Sequence, residues 1–220
     1  MDHGNNEALD NDRLRALRLV PVSRETAERF DIFADLLTRW RRKSNLISEA
    51  TFPSVWTRHI ADSAQILLIT PGVIRWLDMG AGAGFPGMVL AMQLADVSGA
   101  VVHCVESDQR KCAFLREAAR ATCAPAIVHP ARIQFLPPSV LGIVNGITAR
   151  AFAPLPVTLD VAKPWLRVGA VGVFPRGGSM TKQLTSLRPR PHYQIDAVSS
   201  VVDAAAAILR VRLHQDSANG

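Results

Sequence analysis

One segment of the chain combines the residue types of a ligand-binding loop. Residues 76–87 read Trp-Leu-Asp-Met-Gly-Ala-Gly-Ala-Gly-Phe-Pro-Gly, an apolar run that passes directly into closely spaced glycines. Gly80, Gly82 and Gly84 have no Cβ, so the backbone can take left-handed dihedrals and approach a ligand closely. Pro86 suits the first turn of a helix, whose free N–H groups would face the same ligand. The order of strand, tight loop and helix predicts a site for a nucleotide-like molecule.

The glycine spacing alone does not choose between two adenosine cofactors. Residues 82–87 also satisfy the G-x-G-x-x-G string of dinucleotide-binding folds. Two features favour S-adenosylmethionine: Gly80 extends the string to G-x-G-x-G, and Asp78 precedes it. A carboxylate there suits the positive amino group of a methionine moiety and would repel a pyrophosphate. We therefore predict S-adenosylmethionine, with NAD and a glycine turn without a ligand as the alternatives.

Two later positions are candidates for holding the rest of such a cofactor. Glu106 ends the next β-rich run, about where a ribose-binding carboxylate is expected. A solvated glutamate at a strand end is the alternative. After the third run, Ile133 and Gln134 would offer an apolar side chain and an amide to the adenine, although spacing alone does not show this.

From residue 73 onward, short β-rich runs alternate with helical segments, which is typical of βαβ units in a mostly parallel sheet. Strands are predicted over residues 73–79, 100–106, 126–128, 146–150, 170–175, 193–197 and 208–213. Helices are predicted over residues 86–94, 109–122, 156–166 and, less clearly, 180–187. We expect the last two strands to pair as a hairpin at one sheet edge. Residues 72–215 are thus predicted to form one Rossmann-like α/β unit.

Helices are also predicted ahead of the sheet. Ser23 is a plausible N-cap, and apolar residues recur at helical spacing from there to Trp40. A second helix is expected after Phe52-Pro53, ending near Pro71. Residues 23–71 would form an N-terminal helical cap, with residues 1–22 as a flexible N-terminus.

The overall charge indicates an anionic partner, and other classes of protein are disfavoured. The 220 residues carry a formal net charge of +6, which suits nucleic acid but also simple solubility. The basic stretch at residues 39–43 fits either phosphate binding or the end of a helix dipole. The three cysteines form no CxxC pair and the histidines no metal spacing, and no apolar run reaches the length of a membrane span. We expect a cytoplasmic protein that needs neither metal nor membrane.

Five segments together resemble a known family. Residues 43–46, 58–63, 77–87, 111–116 and 149–153 are similar to the GidB (RsmG) family, bacterial methyltransferases of 16S ribosomal RNA that act on guanine N7. The resemblance implies a class I S-adenosylmethionine-dependent methyltransferase with a seven-stranded sheet, acting on the 530 loop of 16S ribosomal RNA, free or within the small subunit. It also implies that Gly80 and Phe85 contact the cofactor, that Ile133 and Gln134 lie at its adenine, and that Arg150 lines the pocket.

The sequence departs from the family pattern at two of the predicted site positions. Gln134 stands where the family usually has an acidic residue, which implies a different adenine recognition there. The usual Lys-Gly after the fifth strand appears as Arg176-Gly177, which keeps the positive charge with another geometry. We predict that Arg176 contacts RNA.

The expected chemistry needs no acid–base group. Guanine N7 carries a lone pair and no proton, so positioning and desolvation suffice, and the chain has no recognisable Ser-His-Asp or Cys-His set. Because the product base is cationic, Arg150 is assigned to the cofactor carboxylate or an RNA phosphate rather than to the guanine. Arg58 and His59 are candidates for the RNA side, although an Arg58–Asp62 helix pair is an equal alternative. A small-molecule methyltransferase and an NAD-binding oxidoreductase remain the rival functions.

Overall fold

A single seven-stranded sheet organises the chain in a computed structural model that describes residues 3–41, 46–177 and 192–214. Its strands are β1 (Arg75–Met79), β2 (Val101–Glu106), β3 (Ala126–Pro130), β4 (Gly146–Thr148), β5 (Val171–Arg176), β6 (Tyr193–Ser199) and β7 (Ala207–Leu213). The spatial order is β3-β2-β1-β4-β5-β7-β6, with β1 to β5 parallel. β7 runs antiparallel to both of its neighbours. The predicted mostly parallel sheet and its terminal β6–β7 pair are confirmed.

Helices occupy both faces of the sheet and the region before it. They are α1 (His3–Leu19), α2 (Arg24–Trp40), α3 (Asp62–Ala64), α4 (Gly87–Gln93), α5 (Gln109–Ala121), α6 (Pro138–Leu141) and α7 (Leu155–Leu166). The helices predicted at 86–94, 109–122 and 156–166 are confirmed as α4, α5 and α7. The one predicted at 180–187 lies outside the described residues.

The second helix of the predicted cap is not one regular α-helix. It consists of a 3-10 turn at Phe52–Ser54, a π-helical stretch at Trp56–Ala61, the single turn α3, and a 3-10 turn at Gln65–Ile69. The apolar side chains in its first part are buried, with Val55, Ile60 and Ala64 each 1% exposed, whereas Leu68 near its end is 58% exposed. Packing of the buried side chains, rather than regular hydrogen bonding, determines the course of the segment.

Side-chain caps fix where two of the helices begin. The Ser23 hydroxyl accepts from the backbone N–H of Thr26 at 3.2 Å, which confirms the predicted cap of α2. At α5, the Asp108 carboxylate accepts from the N–H groups of Arg110 and Lys111. Each such cap is worth about 1 kcal/mol, since it satisfies donors that have no partner within the helix.

The sheet is buried on both faces. In β1, Trp76 and Leu77 are each 0% exposed and point to opposite faces, as successive strand residues must. Trp76 belongs to the core shared with α2, α4 and α5, whereas Leu77 belongs to the core shared with α7. Side chains on both faces therefore hold β1 and the loop after it in place.

The prediction of a flexible N-terminus over residues 1–22 is wrong for His3–Leu19, which forms α1. Asp12 accepts from the backbone N–H groups of Trp56 (2.9 Å) and Thr57 (3.2 Å), and Arg13 forms a two-bond ion pair with Asp31. These contacts with the cap stabilise a helix whose own sequence is mostly polar. The predicted boundary at residue 72, between cap and sheet, stays a prediction.

Candidate functional site

The glycine loop lies at the point where the strand order of the parallel sheet reverses. β1 is flanked by β2 on one side and β4 on the other, and ligands of open α/β sheets bind outside the carboxyl ends of strands at such a point. The N–H groups of Gly80 and Ala81 both donate to the carbonyl oxygen of Val105, at 2.9 and 3.0 Å. The end of β2 thereby fixes the first half of the loop.

Two glycines of the loop have no room for a side chain, and a third faces open space. A Cβ on Gly80 (φ +71°) would lie 2.7 Å from the Phe152 ring, and one on Gly84 (φ +89°) 2.7 Å from Met88. Gly82 (φ +55°) would meet no atom nearer than 3.8 Å. Side chains therefore pack against the loop at Gly80 and Gly84, whereas the loop is open at Gly82. The backbone of Gly82 thus has space for a ligand beside it.

Glu106 lies against this open part of the loop. It is 8% exposed, so it is not a solvated strand-end glutamate. Oε2 accepts from the N–H of Gly82 at 2.9 Å, and Oε1 accepts from the N–H of Asp108 at 2.8 Å. Each carboxylate oxygen has a further acceptor position, so a diol can still be bound. The geometry is compatible with the predicted ribose contact.

The predicted role of Asp78 needs correction. Its side chain is 0% exposed beneath the loop, and Oδ2 accepts from the N–H of Gly87 at 2.8 Å at the start of α4. Burial raises the pKa of Asp78 to about 7, although the Gly87 hydrogen bond opposes the rise. A carboxyl enclosed in this way connects β1 to α4 and does not face the amino group of a cofactor.

The Phe85 ring joins the loop to the cap. It is 4% exposed and packs edge-on against Phe33 at 5.5 Å between centroids. His59 stacks on it at 5.0 Å, and the Arg150 guanidinium lies 5.0 Å from its centroid. The ring therefore forms a wall of the site. Because its own surface is covered, the predicted cofactor contact of Phe85 would be made mainly by its backbone.

A cleft of about 610 Å³ opens on the other side of this wall, between the cap and the sheet. We call it the arginine cleft, and its charged and histidine lining residues are Arg15, Arg58, His59, Asp62, Arg150, Arg176 and Asp203. The structure thus brings together all three residues predicted on the RNA side, together with Arg150. Arg15 and Asp203 were missed, because α1 was predicted to be flexible and nothing in the spacing of Asp203 indicated a site.

Arg150 is held by the cap. Its Nη1 donates to the carbonyl oxygen of Arg58 at 3.1 Å and lies 3.6 Å from Oδ2 of Asp62. Asp62 therefore pairs with Arg150, and the alternative Arg58–Asp62 helix pair does not form. Burial lowers the pKa of Arg150, but Asp62 opposes the change, and burial likewise raises the pKa of Asp62 against the effect of Arg150. The two side chains form an ion pair in the cleft wall.

His59 contributes an uncharged ring to the cleft. Burial, followed by the neighbouring charges of Arg150 and Arg58, lowers its pKa to about 3. Its Nε2 lies 3.4 Å from the Thr51 hydroxyl. The imidazole is consequently neutral at physiological pH and adds no positive charge to the site.

Arg176 is anchored more firmly than its predicted RNA role suggests. Nη1 donates to the carbonyl oxygen of Ala153 at 3.0 Å, and Nη2 donates to the Thr158 hydroxyl at 3.1 Å. Ala153 lies just before α7 and Thr158 lies in its first turn, and burial lowers the pKa of the guanidinium. These hydrogen bonds connect β5 to the start of α7, and they hold the positive charge of Arg176 at a fixed position in the cleft.

The predicted adenine contacts lie in a separate cavity. Ile133 and Gln134 are in a 3-10 turn after β3, and with Trp165 of α7 they line a space of about 540 Å³. Ile133 is 4% exposed, whereas Gln134 is exposed. The structure does not bring them into the arginine cleft, and their contact with adenine stays a prediction.

The basic stretch after α2 is only partly described. Arg41 lies 4.0 Å from the Phe52 ring centroid and 3.2 Å from the Glu49 carboxylate, so it already has partners within the cap. Arg42 and Lys43 lie outside the described residues.

No helix in the described part of the chain is long and apolar enough to cross a membrane. Within the same residues, no group of three histidine, cysteine or acidic side chains is placed to hold a metal ion.

Comparison with known proteins identifies the family. The family model for GidB, rRNA small subunit methyltransferase G, matches residues 26–210. The chain belongs to this family. Among curated relatives, ribosomal RNA small subunit methyltransferase G of Nitrobacter hamburgensis is 46% identical over 82% of this chain and 72% of its own length. The protein of the same name from Methylorubrum populi is 45% identical over 90% and 94%.

Solved structures confirm the class I methyltransferase fold. A putative O-methyltransferase from Klebsiella pneumoniae superposes with a TM-score of 0.59 at 12% identity, covering 96% of this chain and all of its own. Cofactor-bound Rv0187 from MTB gives the same TM-score at 14% identity, covering 94% and 96%. At these identities the likeness concerns the fold, and the family membership supplies the activity. The chain is an S-adenosylmethionine-dependent methyltransferase, and the NAD alternative is not retained.

Proposed function

We propose that this protein transfers a methyl group from S-adenosylmethionine to N7 of a guanine in 16S ribosomal RNA, in the 530 loop, and works in the cytoplasm on the free RNA or the small subunit. The observation that carries the proposal is the Phe85 wall. On one side of it is the glycine loop, and on the other is the arginine cleft, reached through His59 and Arg150. An adenosine cofactor and a polyanion can therefore be held at adjoining positions.

The cofactor fits the loop on its own geometry. Gly82 leaves the backbone open to a ligand, and Glu106 offers a carboxylate for the ribose diol. Ile133 and Gln134 remain the proposed adenine contacts, beyond β3. When bound, S-adenosylmethionine supplies an electrophilic methyl group on a sulfonium. The chain then has to hold the guanine in line with that methyl and exclude water.

The charges of the cleft suit a reaction that makes a cationic base. N7 methylation needs no proton acceptor, so a neutral His59 can contact the base without opposing the new positive charge. Arg150 is already paired with Asp62 and is therefore better placed to shape the cleft or hold an anionic group than to contact the guanine. Arg58 and Arg176 provide positive charge for the RNA backbone.

Methyl transfer to small ribosomal subunits tests this proposal. Subunits from a strain lacking the modification, incubated with the protein and labelled S-adenosylmethionine, should acquire one methyl group on a guanine of the 530 loop. Strand cleavage at 7-methylguanine and mass spectrometry of the fragments would locate it. A Glu106→Ala variant should transfer far less at limiting cofactor. Unlabelled RNA, together with methylation of metabolites by the same preparation, would overturn the RNA assignment in favour of a small-molecule methyltransferase.

A further inference from the structure

The four arginines of the cleft differ in how they are held. Arg150 is paired with Asp62 and the Arg58 carbonyl, and Arg176 is bonded to Ala153 and Thr158. The side chains of Arg15 and Arg58 are exposed, and among residues 3–41, 46–177 and 192–214 neither guanidinium has an ion-pair or hydrogen-bond partner. Two of the four are thus internally occupied, and two are available to a ligand.

Helix α1 presents Arg15 from a fixed position. Three residues earlier, Asp12 accepts from the backbone of Trp56 and Thr57, in the cap segment that carries Arg58. One residue later, Ala16 is 2% exposed in the core. Because the backbone on each side of Arg15 is anchored, binding a ligand would cost mainly the ordering of one side chain.

The acidic residues of the cleft do not neutralise this pair. Asp62 is occupied by Arg150, and Asp203 accepts from the N–H of Ala205 in its own turn. Four arginines against two aspartates leave an excess of positive charge, and His59 is uncharged. Arginine binds phosphate strongly, since its planar donors can make two parallel charged hydrogen bonds. The free pair at the cleft therefore suits phosphate groups of a nucleic-acid backbone.

We infer that Arg15 and Arg58 form a two-point clamp for the phosphate backbone of the RNA at the arginine cleft, with α1 as part of the RNA-binding surface. The inference rests on the proposed function, since it requires an RNA substrate. Arg15 lies ahead of residues 26–210, the part of the chain that the family model matches. The clamp thus adds a contact from a helix outside that matched region.

Salt-dependent RNA binding measures the clamp directly. Log K falls linearly with log salt, and each phosphate contact steepens this negative slope by about 0.7 to 0.9, which amounts to about four- to five-fold in affinity at 0.15 M salt relative to 1 M. We expect Arg15→Ala and Arg58→Ala each to raise the KM for small subunits about four- to five-fold and to make the slope shallower by about 0.7 to 0.9. The kcat and the affinity for S-adenosylhomocysteine should stay unchanged, and Arg15→Lys should recover part of the loss.

Arg18→Ala is the matched control, because Arg18 is exposed on the same helix but does not line the cleft. It should bind RNA as the wild type does. An equal loss in Arg18→Ala would show that the overall charge of α1 matters rather than a clamp, and an unchanged KM and slope in Arg15→Ala would overturn the inference while leaving RNA methylation in place. Failure of the wild type to bind or methylate the subunit would instead overturn the proposed function and the clamp with it. Thermal unfolding of each variant checks that α1 remains folded.

Discussion

Replacement of Asp78 by asparagine should remove a pH dependence of stability. The carboxyl is fully buried, its Oδ2 accepts from Gly87 N–H, and burial raises its pKa from 3.8 to about 7. A pKa raised by folding means that the folded state retains the proton longer, so the stabilisation is complete below pH 3.8 and is lost as the pH rises to 7. Asparagine keeps the acceptor for Gly87 but does not titrate.

The expected size follows from the same shift. Stability is lost over the pH range between 3.8 and about 7, and about two pH units of that range lie above pH 5. Each unit corresponds to about 1.4 kcal/mol, so the unfolding free energy of the wild type should fall by about 3 kcal/mol between pH 5 and pH 8 through this group. Groups such as His59 and His103, whose pKa values burial lowers to about 3 and about 4, titrate in both proteins and cancel in the difference. Urea unfolding at both pH values should therefore show Asp78→Asn gaining about 3 kcal/mol relative to the wild type as the pH rises.

A surface aspartate provides the control for this measurement. Asp96 is paired with Arg29 at 2.8 Å, and that hydrogen bond lowers its pKa, so its titration lies below pH 5. The difference between Asp96→Asn and the wild type should be flat from pH 5 to pH 8. A difference for Asp78→Asn that is equally flat would show that Asp78 is ionised throughout, and the account of its burial would be refuted.

Three further outcomes are expected. Glu106→Ala should weaken S-adenosylhomocysteine binding by about 1–3 kcal/mol in calorimetry, because the ribose acceptor and the anchor of Gly82 N–H are lost together; unchanged affinity in a folded variant would remove the assignment. Gly80→Ala should lower the melting temperature and cofactor affinity more than Gly142→Ala, since both have positive φ but only the first Cβ would lie 2.7 Å from Phe152; equal effects would contradict the steric argument. A thiol reagent should label Cys123 rapidly in the native protein and Cys104 and Cys112 only on unfolding, because Cys123 alone of the three is exposed.

The sheet could be predicted from the sequence because its signals are local. Buried parallel strands appear as short β-rich runs, and each predicted strand differs from the observed one by at most two residues at either end. The N-terminal helix could not be predicted in this way. α1 is mostly polar, and contacts with residues far along the chain, such as Asp12 with Thr57 and Arg13 with Asp31, supply its stability. Such contacts leave no periodic pattern in the sequence.

The types of residue in the sequence were enough to predict where the site lies, but which partner each side chain contacts depends on the fold. Asp78 and Glu106 are both carboxylates beside the glycine loop, and the sequence assigned both to the cofactor. Only the structure separates them, since Asp78 lies under the loop with no exposed surface while Glu106 accepts from the N–H of Gly82 at the open part of the loop. Helical spacing likewise offers Arg58 as an alternative partner for Asp62, but Arg150, more than eighty residues away in the chain, is the side chain within reach. Spacing predicts neighbours on one element, not contacts between elements.

The charges that can attract RNA lie apart from the wall beside which methylation would take place. An RNA substrate requires cations that attract phosphates, whereas methylation of guanine N7 makes the base itself positive. If every arginine were unpaired beside the base, the first requirement would oppose the second. Here the arginine nearest the Phe85 wall is paired with Asp62, and the ring stacked on that wall is a histidine whose pKa is lowered to about 3. Within the described part of the chain, the unpaired cations of the cleft are Arg15 from α1 and Arg58 from the cap. These two elements can therefore attract the RNA backbone, while the Phe85 wall adds no unpaired positive charge.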